Sequence, residues 1–141
     1  MNILFLCVAN SARSQMAEGL AKSMLDRNYN IQSAGSMPGK EVHPQAFIAM
    51  NEIGIDISKH KPKSIDDLDK NFLDNLDYVI GLCKEETCPI LNTNAKYLHW
   101  LNEDPANKNY NSIQMKMAFT KTRGNLYNLI KKFFLLNNSK L

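Results

Sequence analysis

The sequence is sparing with cysteine, and what it has is odd in number: three in 141 residues, too few and too unpaired for a disulfide framework. It lacks any run approaching the roughly 18 to 20 continuous apolar residues of a membrane span. The first residues, Met1-Asn2-Ile3-Leu4-Phe5-Leu6-Cys7, carry neither the basic region nor the small-residue cleavage site of a secretion signal. The expectation is therefore a cytoplasmic protein with no membrane partner. There is no internal repeat and no low-complexity segment. Positive charge is also modest, a net +3 concentrated in the tail at Lys121, Arg123, Lys131, Lys132 and Lys140. No basic stripe alternates with aromatic residues, which argues against a nucleic-acid partner. What is present, 44% hydrophobic and 22% charged residues, is the composition of one globular domain over residues 1–141, expected as a monomer.

Strand and helix patterns alternate along the chain. Residues 2 to 7 read as a short buried strand. From Ser14 to about Asp26, Met16, Leu20, Met24 and Leu25 recur at helical spacing with Ala17 and Ala21 beside them. Residues 30 to 34 suggest a second strand, closed by Ser33-Ala34-Gly35. Pro44 opens a helix whose apolar face is expected from Ala46, Phe47, Met50 and Ile53. A short helix is expected over 65 to 68, strands over 76 to 83 and 95 to 101, and a long helix over about 112 to 136. In that last helix Ile113, Met117, Phe119, Leu126, Leu129, Ile130 and Phe133 are expected to point inward. This alternation predicts an α/β fold with a mostly parallel sheet.

In an open parallel sheet, ligands bind beyond the carboxyl ends of the strands. Cys7 ends the first strand, Cys83 the third, and Asp104 follows the fourth, so three reactive side chains gather at one edge. The loop after Cys7 (Val8, Ala9, Asn10, Ser11, Ala12) is small and polar and opens a helix. Such a loop can turn backbone N–H groups inward as an anion nest, reinforced by the helix dipole. Arg13 adds a planar fork for a tetrahedral oxyanion, and Ser14 can donate to a thiolate. Together these favour thiolate over thiol at Cys7, making it a candidate nucleophile rather than a buried cap of its strand. Asp104, fixed before Pro105, is a candidate general acid as well as a common Asp-Pro turn.

The stretches "CVANSARSQMAEG" (7–19), "SAG" (33–35), "HPQAFIAMNEIGIDIS" (43–58), "LC…CPIL" (82–91) and "HWLNEDPA" (99–106) are in one order over almost the whole chain. They resemble the thioredoxin-coupled arsenate reductases of the low-molecular-weight protein tyrosine phosphatase superfamily. The resemblance implies a three-layer fold, a four-stranded parallel sheet flanked by helices. It also implies a relay without a cofactor: Cys7 attacks arsenate, Cys83 attacks the adduct and releases arsenite, and Cys88 resolves a Cys83–Cys88 disulfide that thioredoxin reduces. A phosphoryl-cysteine can only be hydrolysed or transferred, so the two extra thiols distinguish a reductase from a phosphatase on one scaffold.

The chain also departs from that family's pattern. The spacer Lys84-Glu85-Glu86-Thr87 between Cys83 and Cys88 is about two residues shorter than in the best-known reductases, and residue 12 is Ala where some relatives carry another cysteine. Some members bind potassium through residues matching Asn10, Glu18 and Ser33. Here a further acidic ligand is replaced by Lys63, so no metal is expected, and Glu18 and Ser33 are expected to brace the loop. Alternatives remain: a phosphatase acting on phosphotyrosine or aryl phosphates, or a thiol sensor of arsenite or soft metals. Against the first, Ala106-Asn107 stand where such phosphatases carry aromatic residues. His43 is expected to cap a helix, His99-Trp100 to pack under the Asp104 loop, and His60 with Lys59, Lys61 and Lys63 to be solvated.

Overall fold

The computed structural model describes residues 1–83, 91 and 93–138. Cys88 and its spacer from Cys83 lie outside the described residues. Four parallel strands, β1 (Asn2–Cys7), β2 (Asn30–Gly35), β3 (Tyr78–Cys83) and β4 (Lys96–Asn102), form one sheet in the order β2-β1-β3-β4. The helices are α1 (Arg13–Met24), α2 (Pro44–Asn51), α3 (Lys70–Asp74) and α4 (Ser112–Asn138), with a 3₁₀ turn at Ile65–Asp67. The expected α/β architecture is what the chain adopts.

Central strands of a parallel sheet are covered on both faces, which is why β1 and β3 read as continuous apolar runs rather than alternating ones. Ile3, Phe5, Ile80 and Leu82 join the larger core with Met16, Leu20, Met50, Phe119 and Leu126 from the helices. Leu4, Leu6 and Val79 face a smaller core with Phe72 and Leu76.

The boundaries move by a residue or two, and several packing expectations need correction. On α2, Ala46, Ala49 and Met50 are buried, whereas Phe47, and Ile53 in the turn just past its end, are exposed. Small alanines let α2 approach closely, and the bulkier residues are left outside. On α4, Phe119, Leu126, Ile130 and Phe133 are buried as expected, but Ile113 and Met117 are 72% and 66% exposed, because the helix turns Met115 rather than these two toward the core. Trp100 packs between Phe5 and Phe133, with ring centroids 6.0 and 6.1 Å away, while His99 is exposed beside Tyr97. The short α3 has no counterpart among the elements expected from sequence pattern. Among the described residues no helix is long and apolar enough to cross a membrane.

Topology matters most at one place. The chain leaves β1 for β2 on one side, then returns past it to β3 on the other. The direction of winding therefore reverses between β1 and β3, which opens a crevice at their carboxyl ends. Cys7 and Cys83 are the last residues of those two adjacent strands, and both are buried.

Candidate active site

The loop from Cys7 to Arg13 is held from outside by its carbonyls. Val8 O accepts from Met37 N (2.9 Å), Ala9 O from Gly39 N (2.9 Å), Asn10 O from Gln15 Nε2 (3.0 Å) and Ser11 O from His43 N (2.8 Å). In a trans peptide the following N–H points opposite to the C=O. Pinning four successive carbonyls outward therefore turns the next four N–H groups inward, and the one on Asn10 points to Cys7 Sγ at 3.2 Å. Asn10 adopts φ +51°, a left-handed conformation that asparagine tolerates better than most residues. No side chain caps α1 at Ala12, which leaves the helix's first N–H groups for an anion. Gly35 makes the geometry possible: a Cβ there would lie 2.3 Å from Val8 O and 3.0 Å from Asn10 N.

The direction of the buried hydrogen bonds can be deduced. Lys63 N–H, which can only donate, reaches Asn10 Oδ1 at 2.9 Å, so Asn10 Nδ2 faces Ser14 Oγ (2.7 Å) and Ser33 Oγ (3.0 Å). Both hydroxyls accept from that amide and must send their own hydrogens elsewhere. Ser33 donates to Glu18 Oε1 at 2.6 Å, and Ser14 Oγ lies 2.8 Å from Cys7 Sγ, to which it donates when the sulfur is a thiolate. The arrangement favours a negative sulfur at one end and rests on a carboxylate at the other.

Glu18 is 3% exposed, with two cations, Lys22 Nζ at 2.8 Å and Lys63 Nζ at 3.4 Å, and the His60 ring, Nδ1 at 3.7 Å, around it. Burial, the largest influence, pushes its carboxyl up, but the Lys22 and Ser33 hydrogen bonds and the charges of Lys63 and Lys22 outweigh it and hold the group below 4.5. Lys63 thus supplies a cation against the carboxylate under the loop. The expectation that His60 is solvated does not hold. It is half-buried, its Nδ1–H donates to Gln15 Oε1 at 3.1 Å, and burial lowers its basicity against the opposing pull of Glu18. Lys59 and Lys61 are exposed as expected.

His43 caps α2, its Nδ1 accepting from Gln45 N at 3.0 Å, and its ring stacks on Phe119 at 4.9 Å. Burial lowers its basicity, and Asp104 partly offsets this, which places the two groups within electrostatic reach. Asp104 is half-exposed, with Oδ1 accepting from Ala106 N at 2.9 Å. An aromatic ring stands near it after all: Tyr110 lines an open groove of about 570 Å³ with Leu101, Asp104, Met117 and Lys121. Arg13 is buried, and its Nη1 donates to Asn102 O at 2.9 Å, two residues before Asp104. Cys7, Asn10, Ser14, Glu18 and Ser33 therefore form one hydrogen-bonded unit, Arg13 beside it is tied to Asn102, Cys83 closes the neighbouring strand, and Asp104 follows the strand that Arg13 grips.

Sequence reasoning gave no role to Gln15 and Asn102, and read Gly35 only as the close of a strand and part of a motif. The contact that makes Gly35 necessary is tertiary, as are those of Gln15. For Asn102 the register shift between His99 and Asn102 interrupts the alternation of β4, so parity along the strand did not single it out.

A strand–loop–helix of this kind, headed by a buried cysteine at the switch point of a four-stranded sheet, defines a class. The low molecular weight phosphotyrosine protein phosphatase family matches residues 2–132, and the chain belongs to that family. Its relatives there include arsenate reductases. One from Staphylococcus aureus (strain Newman) is 45% identical over 114 residues, 79% of this chain and 84% of that protein. A solved arsenate reductase in its phosphate binding state is 31% identical, with a TM-score of 0.75 over 94% of this chain and 96% of the other. The thioredoxin-dependent arsenate reductase of Corynebacterium glutamicum is 28% identical, with a TM-score of 0.67 over 94% of this chain and 61% of its own.

Proposed function

We propose that this chain reduces arsenate to arsenite by a three-thiol relay regenerated by thioredoxin. Two buried thiols, Cys7 and Cys83, ending adjacent strands at the switch point carry the reading. The inward N–H groups and Arg13 bind the oxyanion, and the Ser14 hydroxyl and Asn10 N–H hold Cys7 as thiolate. Cys7 attacks arsenic and an oxygen leaves as water, with Asp104 supplying the proton. Cys83 then attacks the Cys7 sulfur of the adduct. The sulfur–arsenic pair of electrons stays with arsenic, which departs as arsenite and leaves a Cys7–Cys83 disulfide. Cys88 attacks Cys83, returns Cys7 as thiolate and forms Cys83–Cys88, which thioredoxin reduces by exchange.

The same cradle and acid suffice to cleave an aryl phosphate through a phosphoryl-cysteine, so a weak phosphatase activity belongs to this reading. Glu18, Ser33 and Asn10 act as loop supports, with Lys63 in the place of a metal cation. We place the protein in the cytoplasm, where thioredoxin operates, as a single-domain monomer.

The test is arsenate-dependent NADPH oxidation in the presence of thioredoxin and thioredoxin reductase, on wild type and on Cys7→Ser, Cys83→Ser and Cys88→Ser. Turnover is expected in the wild type and in none of the variants, while Cys83→Ser and Cys88→Ser retain aryl phosphate hydrolysis. Rapid aryl phosphate hydrolysis with no arsenate turnover would make the protein a phosphatase. Arsenate turnover that survives loss of Cys83 or Cys88 would remove the relay.

A further inference from the structure

Asn102 is buried, 5% exposed, at the end of an edge strand whose neighbouring residues Leu101 and Glu103 are exposed. A buried polar side chain at a strand end is costly unless its bonds are met and its position serves something. Three observations converge on it. Its carbonyl accepts from Arg13 Nη1 at 2.9 Å, across 89 residues of sequence. Its side-chain Nδ2 turns back to donate to Trp100 O at 2.8 Å, tying the residue to its own strand. Its register is irregular: His99 pairs with Gly81 but Asn102 with Cys83, so β4 advances three residues while β3 advances two. That extra residue is a bulge, which bends a strand and re-aims the residues beyond it, and bulges recur next to active sites. Without it, Leu101 would stand opposite Cys83.

The geometry points to Asn102 as a positioning residue of the oxyanion site. The bulge and the Nδ2 bond to Trp100 set the direction of the Asn102 carbonyl, and that carbonyl fixes the plane of the Arg13 guanidinium. One nitrogen of the fork is committed to the carbonyl, which fixes how the rest of the fork is presented to an anion above the loop. The same residue lies beside Cys83 and two positions before Asp104, so one strand end registers the oxyanion's arginine, the second thiol and the acid. Asn102 touches no reacting atom and acts through Arg13.

This inference rests on the oxyanion-cradle reading above, and one assay separates the two. Cys7 is alkylated with iodoacetamide at increasing inorganic phosphate, in a Cys83→Ser/Cys88→Ser background, for otherwise wild-type protein and for Asn102→Leu and Asn102→Ala. Thermal unfolding checks that each variant is folded. The phosphate concentration giving half-protection is expected to rise about tenfold or more in a folded variant, the scale of one misaligned charge-assisted contact. The alkylation rate without phosphate is expected to change much less than the half-protection does, because the Ser14 and Asn10 donors to Cys7 are untouched and only the more distant charge of Arg13 moves. A merely structural role would slow or speed both together. Should the leucine variant fail to fold, the smaller alanine variant carries the comparison. Unchanged half-protection in a folded variant, or an equal change in the unprotected rate, overturns the role of Asn102. Failure of phosphate to protect the wild-type site would instead overturn the cradle itself.

Discussion

Asn10→Asp alters the polarity of one atom in a buried site and almost nothing of its shape. Oδ1 still accepts from Lys63 N–H at 2.9 Å and from Gln15 Nε2 at 3.0 Å. The second oxygen, however, replaces the amide nitrogen that lies 2.7 Å from Ser14 Oγ and 3.0 Å from Ser33 Oγ. An oxygen there cannot donate, so the Ser14 hydroxyl turns its hydrogen toward the new carboxylate and away from Cys7 Sγ. A hydrogen bond to a charged group contributes about 1.5–3 kcal/mol. At about 1.36 kcal/mol per factor of ten, the anionic sulfur loses roughly 1.1 to 2.2 decades of stabilisation. A less stabilised sulfur anion is a better nucleophile, with a Brønsted slope of about 0.4–0.5, which offsets nearly half of this, so alkylation slows by at most about 4- to 20-fold. The charge of the carboxylate works in the same direction. The assay is iodoacetamide alkylation at about pH 6, where an unassisted thiol is almost wholly protonated, with Cys83 and Cys88 replaced by serine. Ser14→Ala removes the same bond and should fall in the same range. The double variant should be little slower than the slower single one, because the proton in question is already misdirected. Wild-type reactivity in Asn10→Asp, or a double variant slowed by the product of the single effects, would refute the deduced hydrogen-bond direction.

Three further outcomes are expected. Gly35→Ala puts a Cβ 2.3 Å from Val8 O, so the loop must shift; a loss of about 1–3 kcal/mol in urea unfolding is expected, with loss of phosphate protection of Cys7, and a stable variant with intact protection would contradict the close approach. Lys63→Met removes the cation 3.4 Å from Glu18 Oε1; the wild type should be indifferent to exchanging sodium for potassium, whereas the variant should be less stable and partly rescued by potassium, and a potassium-dependent wild type would sink the idea. Burial holds His43 and His60 below 6.5, while the cations and Ser33 outweigh burial to hold Glu18 below 4.5. In each case the unfolded chain takes up protons first as pH falls, so stability is full above 6.5, declines below it through the histidines, and declines again below 4.5 through Glu18. Urea midpoints across this range test it, and a flat curve from about pH 7 to pH 4 would be inconsistent with it.

Much of the site could be read in sequence because its chemistry is local. Cys7, the small loop residues, Arg13 and Ser14 are consecutive, and a strand-loop-helix positions them whatever surrounds it. Glu18 lies one helical turn later and reaches under the same loop. Packing was less legible. Phe47, Ile53, Ile113 and Met117 satisfy helical periodicity yet lie on the surface, because periodicity identifies a stripe but not whether another element covers it.

The sequence by itself determined the α/β alternation, the strand–loop–helix after Cys7 and the placing of Cys7, Cys83 and Asp104 at one sheet edge, since strand ends and turn residues are short-range properties. Only the tertiary structure decided which way the buried protons point, because the direction depends on Lys63 N–H reaching Asn10 across 53 residues. It also decided that Gly35 must lack a side chain and that a bulge brings Asn102 rather than Leu101 beside Cys83. Both depend on close approaches between segments far apart in the chain, where a fraction of an ångström decides the outcome and no local pattern records it.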